Sequence, residues 1–173
     1  MSNRDCWETP NEIFQTLDLA YDFWWDACCD EDNCKVFEQQ QYFKNNRFGS
    51  FMYDFLQVNT DSMLKARDYL GLEAKEYIFM NPPFSNIGPF LSKAWELSTV
   101  FPFVILVKEG ITTCKYMDKF DKRGGGYFIR EWKDGFTILN MNSRVKYIPP
   151  AGVKESGPSF GSMVILMDRR SVI

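Results

Sequence analysis

An open α/β sheet of Rossmann-like design, mixed in strand direction with helices on both faces and an antiparallel edge, is predicted by three features of the sequence. Two continuous apolar runs, residues 77–80 and 103–107, have the length and composition of fully buried strands. Between them residues 89–98 carry Phe90, Leu91, Ala94 and Leu97 at helical spacing, and strand–helix–strand implies a right-handed parallel crossover. The last third changes to short strand candidates joined by Gly- and Pro-containing connections, the composition of an antiparallel edge.

The 173 residues hold no repeat, low-complexity tract or Gly/Ser linker, so a single domain over 1–173 is expected. Hydrophobic residues at 45% and charged residues at 25% describe a globular chain. At this size folding buries roughly 70% of the unfolded chain's surface. No apolar run approaches the ~18 residues of a membrane span, and Met1 to Asp5 leads into charged sequence, so a cytoplasmic protein is expected. The absence of histidine excludes His-dependent triads, imidazole bases and His-ligated zinc. Cys6, Cys28, Cys29, Cys34 and Cys114 are odd in number and lack Cys-x-x-Cys spacing; reduced, mostly buried thiols are expected, and no metal.

Thr9-Pro10-Asn11-Glu12 offers a hydroxyl N-cap, proline at the first helical position and a capping-box Glu, with Ile13, Phe14 and Leu17 on one face. The helix is predicted to run to about Ala20. Tyr21 to Trp25 read as an aromatic strand that stops at Asp26-Ala27-Cys28-Cys29-Asp30. A short helix over 33–42 and a strand over 50–58 follow. Thr60 or Asp61 caps the next helix, which carries Met63, Leu64, Ala66 and Leu70, and Gly71 sits where a left-handed C-terminal residue belongs. Later strands are predicted over 127–130, 144–148 and 163–167.

The chemistry centres on Asn81-Pro82-Pro83-Phe84, which begins where strand 77–80 ends. Open α/β sheets bind ligands beyond the carboxyl ends of their strands. Each proline pushes the residue before it toward extended backbone, so the corner is stiff and its acceptors are fixed in direction. The Asn81 side-chain oxygen and the Pro82 carbonyl can accept both hydrogens of an exocyclic amine, while the Phe84 ring offers a face to the attached base.

This quartet resembles the Asp/Asn/Ser-Pro-Pro-aromatic motif of the amino-group DNA methyltransferases, and in particular of the small phage-type, Dam-like DNA N6-adenine methyltransferases. Trp7-Glu8-Thr9-Pro10 resembles their N-terminal Trp-x-Thr-Pro, Asp26-Ala27-Cys28 with Asn33 their cofactor loop, and Ser159-Phe160-Gly161-Ser162 their C-terminal end. The resemblance spans most of the chain. It implies a minimal class I methyltransferase-like domain without a separate target-recognition domain, S-adenosylmethionine as cofactor, and double-stranded DNA with a flipped adenine as substrate. It implies Asn81, Pro82, Pro83 and Phe84 at the catalytic corner, and Trp7, Thr9, Pro10, Asp26, Ala27 and Cys28 at the cofactor, the Thr-Pro turn and Asp26 toward its methionine end. Asp54 is the candidate partner of the cofactor's adenine amine, and Glu38 a candidate for its ribose. One departure stands out: no glycine lies between Asp26 and Asn46, where such loops bring backbone close to the ligand. N4-cytosine methylation, methylation of an amide or amine in RNA or protein, and a catalytically inactive DNA- or protein-binding module remain as alternatives.

Net charge −3 argues against non-specific nucleic-acid binding, yet charge is unevenly spread. Lys115, Lys119, Lys122, Arg123, Arg130 and Lys133 outnumber Asp118, Asp121 and Glu131, and Gly124-Gly125-Gly126 allows close approach to phosphates beside Tyr127 and Trp132. Ser85, Lys119, Lys122, Arg123 and Arg130 are the expected nucleic-acid contacts; a flexible hairpin turn is the plain alternative.

Overall fold

The computed structural model describes residues 7–29, 33–36, 39, 54–72, 75–125, 129–149, 152 and 160–172. Among them five strands, β1 (Phe23–Asp26), β2 (Tyr77–Met80), β3 (Phe103–Lys108), β4 (Phe136–Asn140) and β5 (Ser162–Met167), form one sheet in the order β1-β2-β3-β5-β4. β1 pairs parallel with β2 and β2 with β3, whereas β5 runs antiparallel to both β3 and β4. This is the open mixed sheet with an antiparallel edge that the apolar pattern predicts.

The helices α1 (Asn11–Tyr21), α2 (Thr60–Leu70) and α3 (Ile87–Leu97) accompany it. Phe14 of α1 lies against Phe23 and Phe79, with ring centroids 5.6 and 5.2 Å away. On the other side Phe55 meets Trp25 and Phe103 and stacks on Phe90 of α3. The sheet is therefore clad by helix on both faces. Trp24, Ile78, Val104, Ile105 and Leu106 are fully buried, as expected of central strands covered on both sides. No helix among the described residues is long and apolar enough to cross a membrane.

The boundaries depart from expectation where side chains choose a different partner. α1 begins at Asn11 with Pro10 as its N-cap and no side-chain cap, so Thr9 is not the capping hydroxyl. Thr9 is buried instead, and the Pro10 carbonyl receives the Ile13 and Phe14 N–H groups. β1 starts at Phe23 and includes Asp26, because Tyr21 still belongs to α1 and Asp22 turns the chain at φ 53 while the Asp18 carboxylate accepts the Phe23 N–H at 2.7 Å. Asn59, not Thr60 or Asp61, caps α2 through a reciprocal capping box with Ser62, while Gly71 closes it at φ 67.

In the described part of the strand predicted over 50–58, Phe55–Gln57 is a 3₁₀ turn, because the Asp54 carboxylate accepts the Leu56 N–H at 3.1 Å and folds the chain back. Asn33 to Val36 are not helical, whereas Gln39 is; the rest of that predicted helix, and Glu38 with it, lie outside the described residues. In the last third β5 lies where a strand is predicted. Residues 144–148 make only an isolated bridge, Ile148 to Glu8, and Ile129 and Arg130 are in no strand; Tyr127 falls outside the described residues. β4 is unpredicted, since as an edge strand it buries only Phe136 fully and lacks a continuous apolar run.

Candidate active site at the Asn-Pro-Pro-Phe corner

Parallel β1, β2 and β3 deliver Asp26, Asn81 and Glu109 to the same edge of the sheet. Asp26 is paired with Phe79 in register, the Ala27 N–H donates to the Phe79 carbonyl at 2.9 Å, and Asn81 follows one residue after Met80. Pro82 is buried, and Asn81, Pro83 and Phe84 are half-buried. The Asn86 N–H donates to the Pro83 carbonyl at 3.1 Å, which tightens the corner into α3. Among the described residues no backbone N–H is donated to the Pro82 carbonyl.

The Asn81 amide is set by its neighbour: Nδ2 donates to the Trp7 carbonyl at 3.2 Å. Because that face of the amide meets an acceptor, it must carry the nitrogen, and Oδ1 points the other way. Oδ1 is withdrawn from water and has no hydrogen-bond partner among the described residues. The Trp7 carbonyl is itself fixed by the adjoining bridge, in which Glu8 and Ile148 exchange both backbone hydrogen bonds at 3.0 Å. Thr9 Oγ1, two residues on from Trp7, is a second buried and unpartnered polar atom. An unsatisfied buried acceptor costs roughly 1–3 kcal/mol, and at the end of β2 Asn81 Oδ1 is one that a ligand's hydrogen could satisfy.

Phe84 is boxed by aromatic edges. Tyr147 and Phe160 approach it T-shaped at 5.4 and 5.3 Å, contacts worth about 0.5–1.5 kcal/mol each. Tyr147 is tied to Ser162 through their hydroxyls at 3.1 Å, and burial pushes its phenol up to about 12, so it is neutral at physiological pH. Gly161 leaves room for Glu109: a Cβ at Gly161 would fall 2.2 Å from Glu109 Oε2, and the Glu109 N–H donates to the Gly161 carbonyl at 2.7 Å. Tyr147, Phe160, Gly161 and Glu109 thus join the corner without having been singled out as site residues. The Ser-Phe-Gly-Ser string was the available signal for two of them; Tyr147 sits in an irregular segment and Glu109 in a turn, where pattern says nothing.

The turn after β1 is built around Asp26, which is buried. Its carboxylate accepts the Cys28 N–H at 3.5 Å and the Lys35 N–H at 3.4 Å. Fully buried Gln39 clamps the same residue, accepting the Asp26 N–H at 2.7 Å and donating to its carbonyl at 3.0 Å. Burial, with the Asp26 carboxylate adding, pushes the Cys28 thiol up. A cleft of about 460 Å³ between α1 and residues 33–35 opens beside this turn, with Asn11, Phe14, Asp18 and Asn33 among its walls.

The remaining expected residues sit elsewhere. Asp54 is exposed and its carboxylate caps the 3₁₀ turn; no described hydrogen bond joins it to Asp26 or Asn81. In the basic segment Lys122 pairs with Asp134 at 3.0 Å and Glu131 at 3.6 Å, Arg123 lies 3.8 Å from Asp121, and Arg130 meets Asp118 at 2.6 Å. Much of its positive excess is thus answered locally, while Lys119 and Ser85 are exposed.

Over residues 1–172 the chain matches the family model described as DNA N-6-adenine-methyltransferase (Dam). No curated protein and no solved structure matches it.

Proposed function

Because the chain belongs to the DNA N-6-adenine-methyltransferase (Dam) family, we propose that it moves a methyl group from S-adenosylmethionine to the exocyclic N6 of a flipped adenine by direct displacement, with Asn81 orienting the amine. Membership of that family makes the protein an adenine-specific DNA methyltransferase. The observation that carries the reading of the site is the buried, orphaned Asn81 Oδ1, turned away from Trp7 by the Nδ2 bond to its carbonyl at 3.2 Å.

An aromatic amine is a poor nucleophile because its lone pair is delocalised into the ring. Asn81 Oδ1 and the Pro82 carbonyl accept its two hydrogens and favour a pyramidal nitrogen whose lone pair is free to attack. Neither group takes a proton: the methyl–sulfur bond breaks as the nitrogen–carbon bond forms, and the methylated amine, strongly acidic while cationic, releases its extra proton to water, so a chain without histidine is chemically adequate. Alignment of the reacting atoms can supply roughly 7–11 kcal/mol of the barrier reduction. Turning the base out of a duplex costs a few kcal/mol. Stacking on Phe84 returns roughly 1–3 kcal/mol, and each amine hydrogen bond about 1 kcal/mol.

The residues near the corner fit the cofactor. Thr9 Oγ1 is a buried hydroxyl in need of a partner, and Asp26 offers a carboxylate suited to an ammonium group. Trp7, Thr9, Pro10, Asp26, Ala27 and Cys28 would hold its methionine end, with Asp54 at the adenine amine. When bound, S-adenosylmethionine supplies an electrophilic methyl group on a sulfonium. We assign DNA contact to Ser85, Lys119, Lys122, Arg123 and Arg130, and the whole activity to a single domain whose loops read the target.

Incubating the protein with radiolabelled S-adenosylmethionine and unmodified DNA, followed by nucleoside analysis, tests the proposal. N6-methyladenine is expected. Label in N4-methylcytosine, or none in DNA at all, would overturn it.

A further inference from the structure

We propose that Arg144 and Lys146 bind the DNA backbone phosphates beside the target adenine, a contact separate from the basic segment 115–133; it rests on the methyltransferase reading of the corner. From Gly135 to Lys154 the chain carries three cations, Arg144, Lys146 and Lys154, and no acidic residue, in a protein whose net charge is −3. Over 144–148 burial alternates: Val145 and Tyr147 are buried, whereas Arg144, Lys146 and Ile148 are exposed. Alternation of this kind is the mark of extended backbone, with one face turned in and the other to solvent. The two cations therefore share the outer face, roughly 6.6 Å apart along the chain. One DNA strand carries a charge for roughly every 3.4 Å of helix axis, so flexible side chains at that spacing reach neighbouring phosphates.

The inward residues fix this segment to the corner. Tyr147 meets Phe84 edge to face at 5.4 Å, and its hydroxyl pairs with Ser162 Oγ at 3.1 Å. The next residue, Ile148, exchanges both backbone hydrogen bonds with Glu8 at 3.0 Å, one position from the Trp7 carbonyl that sets Asn81. Lys146 is thus one residue from the aromatic box and two from a backbone lock, which presents its ammonium beside the corner. Neither cation is engaged internally: among the described residues Arg144 and Lys146 have no ion pair, and Glu8, the acid opposite Ile148, is held by Lys35 at 3.6 Å. Lys122 and Arg130, by contrast, must give up carboxylates 3.0 and 2.6 Å away before they can meet a phosphate. A cation without a local partner brings its whole charge to counterion release. Backbone contacts also set register, so a grip next to the pocket decides which nucleotide lies over Phe84.

The test is fluorescence anisotropy of a labelled duplex carrying one unpaired adenine, titrated with the full chain over a salt series. Arg144→Gln and Lys146→Gln should each reduce the slope of log affinity against log salt by about one, and the double variant by about two. Melting temperatures should stay unchanged, because both side chains are exposed. Lys65→Gln makes the same charge change at an exposed position of α2 and should leave the slope as it is. Methylphosphonates in place of the phosphates on either side of the unpaired adenine should weaken binding by the unaltered chain and weaken the double variant no further. An unchanged slope in the double variant, an equal drop from Lys65→Gln, or equal methylphosphonate losses in both chains would overturn the assignment. The readout is binding, so two failures separate: an unaltered chain that binds no duplex sinks the methyltransferase reading and this contact with it, whereas normal binding with an unchanged slope in the double variant sinks the contact alone.

Discussion

Asn81 Nδ2 donates to the Trp7 carbonyl oxygen across 3.2 Å, so a residue from the N-terminal segment decides which way the amide at the β2 terminus faces. An aspartate would set two acceptors against each other at that point, which accounts for the amide here. Asn81→Ala should lower kcat by about a hundredfold or more while leaving the melting temperature nearly unchanged, as measured by tritiated methyl transfer and calorimetry. Asn81→Asp should raise the folded-state pKa of the new carboxyl, because its neutral form alone can donate to Trp7. Its stability is then best in acid and is lost as pH rises through that pKa, a trend that thermal melts across pH would reveal.

Phe84 and Phe160 stand edge to face, 5.3 Å apart. Removing either ring should weaken binding of DNA with an unpaired target adenine by about 1–3 kcal/mol, roughly five- to 150-fold. Fluorescence anisotropy with mismatched and perfectly paired duplexes measures this. An equal loss on duplexes lacking adenine would contradict a role for the rings in holding the base.

Gly161→Ala puts its methyl group where the exposed Glu109 carboxylate now lies, so that flexible side chain must turn aside; kcat/KM should fall only if Glu109 acts in its present pose, and Glu109→Ala should then produce the same loss. Double-mutant analysis of kcat/KM gives the coupling; simple additivity would mean the two positions act apart.

In the basic segment Lys119 is exposed and its side chain has no ion pair among the described residues, whereas Lys122 already faces Glu131 and Asp134. Lys119→Glu should therefore weaken DNA binding without unfolding the segment and reduce the slope of log affinity against log salt by about one. Affinity measured over a salt series decides this, and an unchanged slope would remove Lys119 from the interface.

Arg170 hydrogen-bonds the Asp168 carboxylate at 2.9 and 2.8 Å, and this bond, ahead of burial acting the other way, holds the carboxyl below its ordinary value. A depressed carboxylate contributes stability above its unfolded pKa, about 3.9, and loses it as pH falls through the folded value. Asp168→Asn should therefore melt lower than the unaltered chain at neutral pH, with the gap closing below about pH 4.

The central sheet was legible because β2 and β3 are buried on both faces and so are written as uninterrupted apolar runs. β4 was not, because Thr137, Leu139 and Asn140 face solvent and an edge strand is defined by its neighbour rather than by its own sequence. The Asn-Pro-Pro-Phe corner could be read because proline fixes backbone locally. Its partners could not: the Trp7 carbonyl, Tyr147 and Glu109 come from distant positions, and no local pattern carries a contact made across the fold. Thr9 misled for a related reason, since a hydroxyl before proline looks like a cap until burial turns it inward.

β5 lies between β3 and β4 although it follows both in the chain. During synthesis on the ribosome β4 emerges with nothing to pair with, and β3 presents a bare hydrogen-bonding edge until residues 162–167 arrive. The nascent protein therefore passes through a stage with two sticky borders, open to chaperones or to clumping with other copies, and catalytic competence must wait for the final insertion of a centrepiece that both borders share.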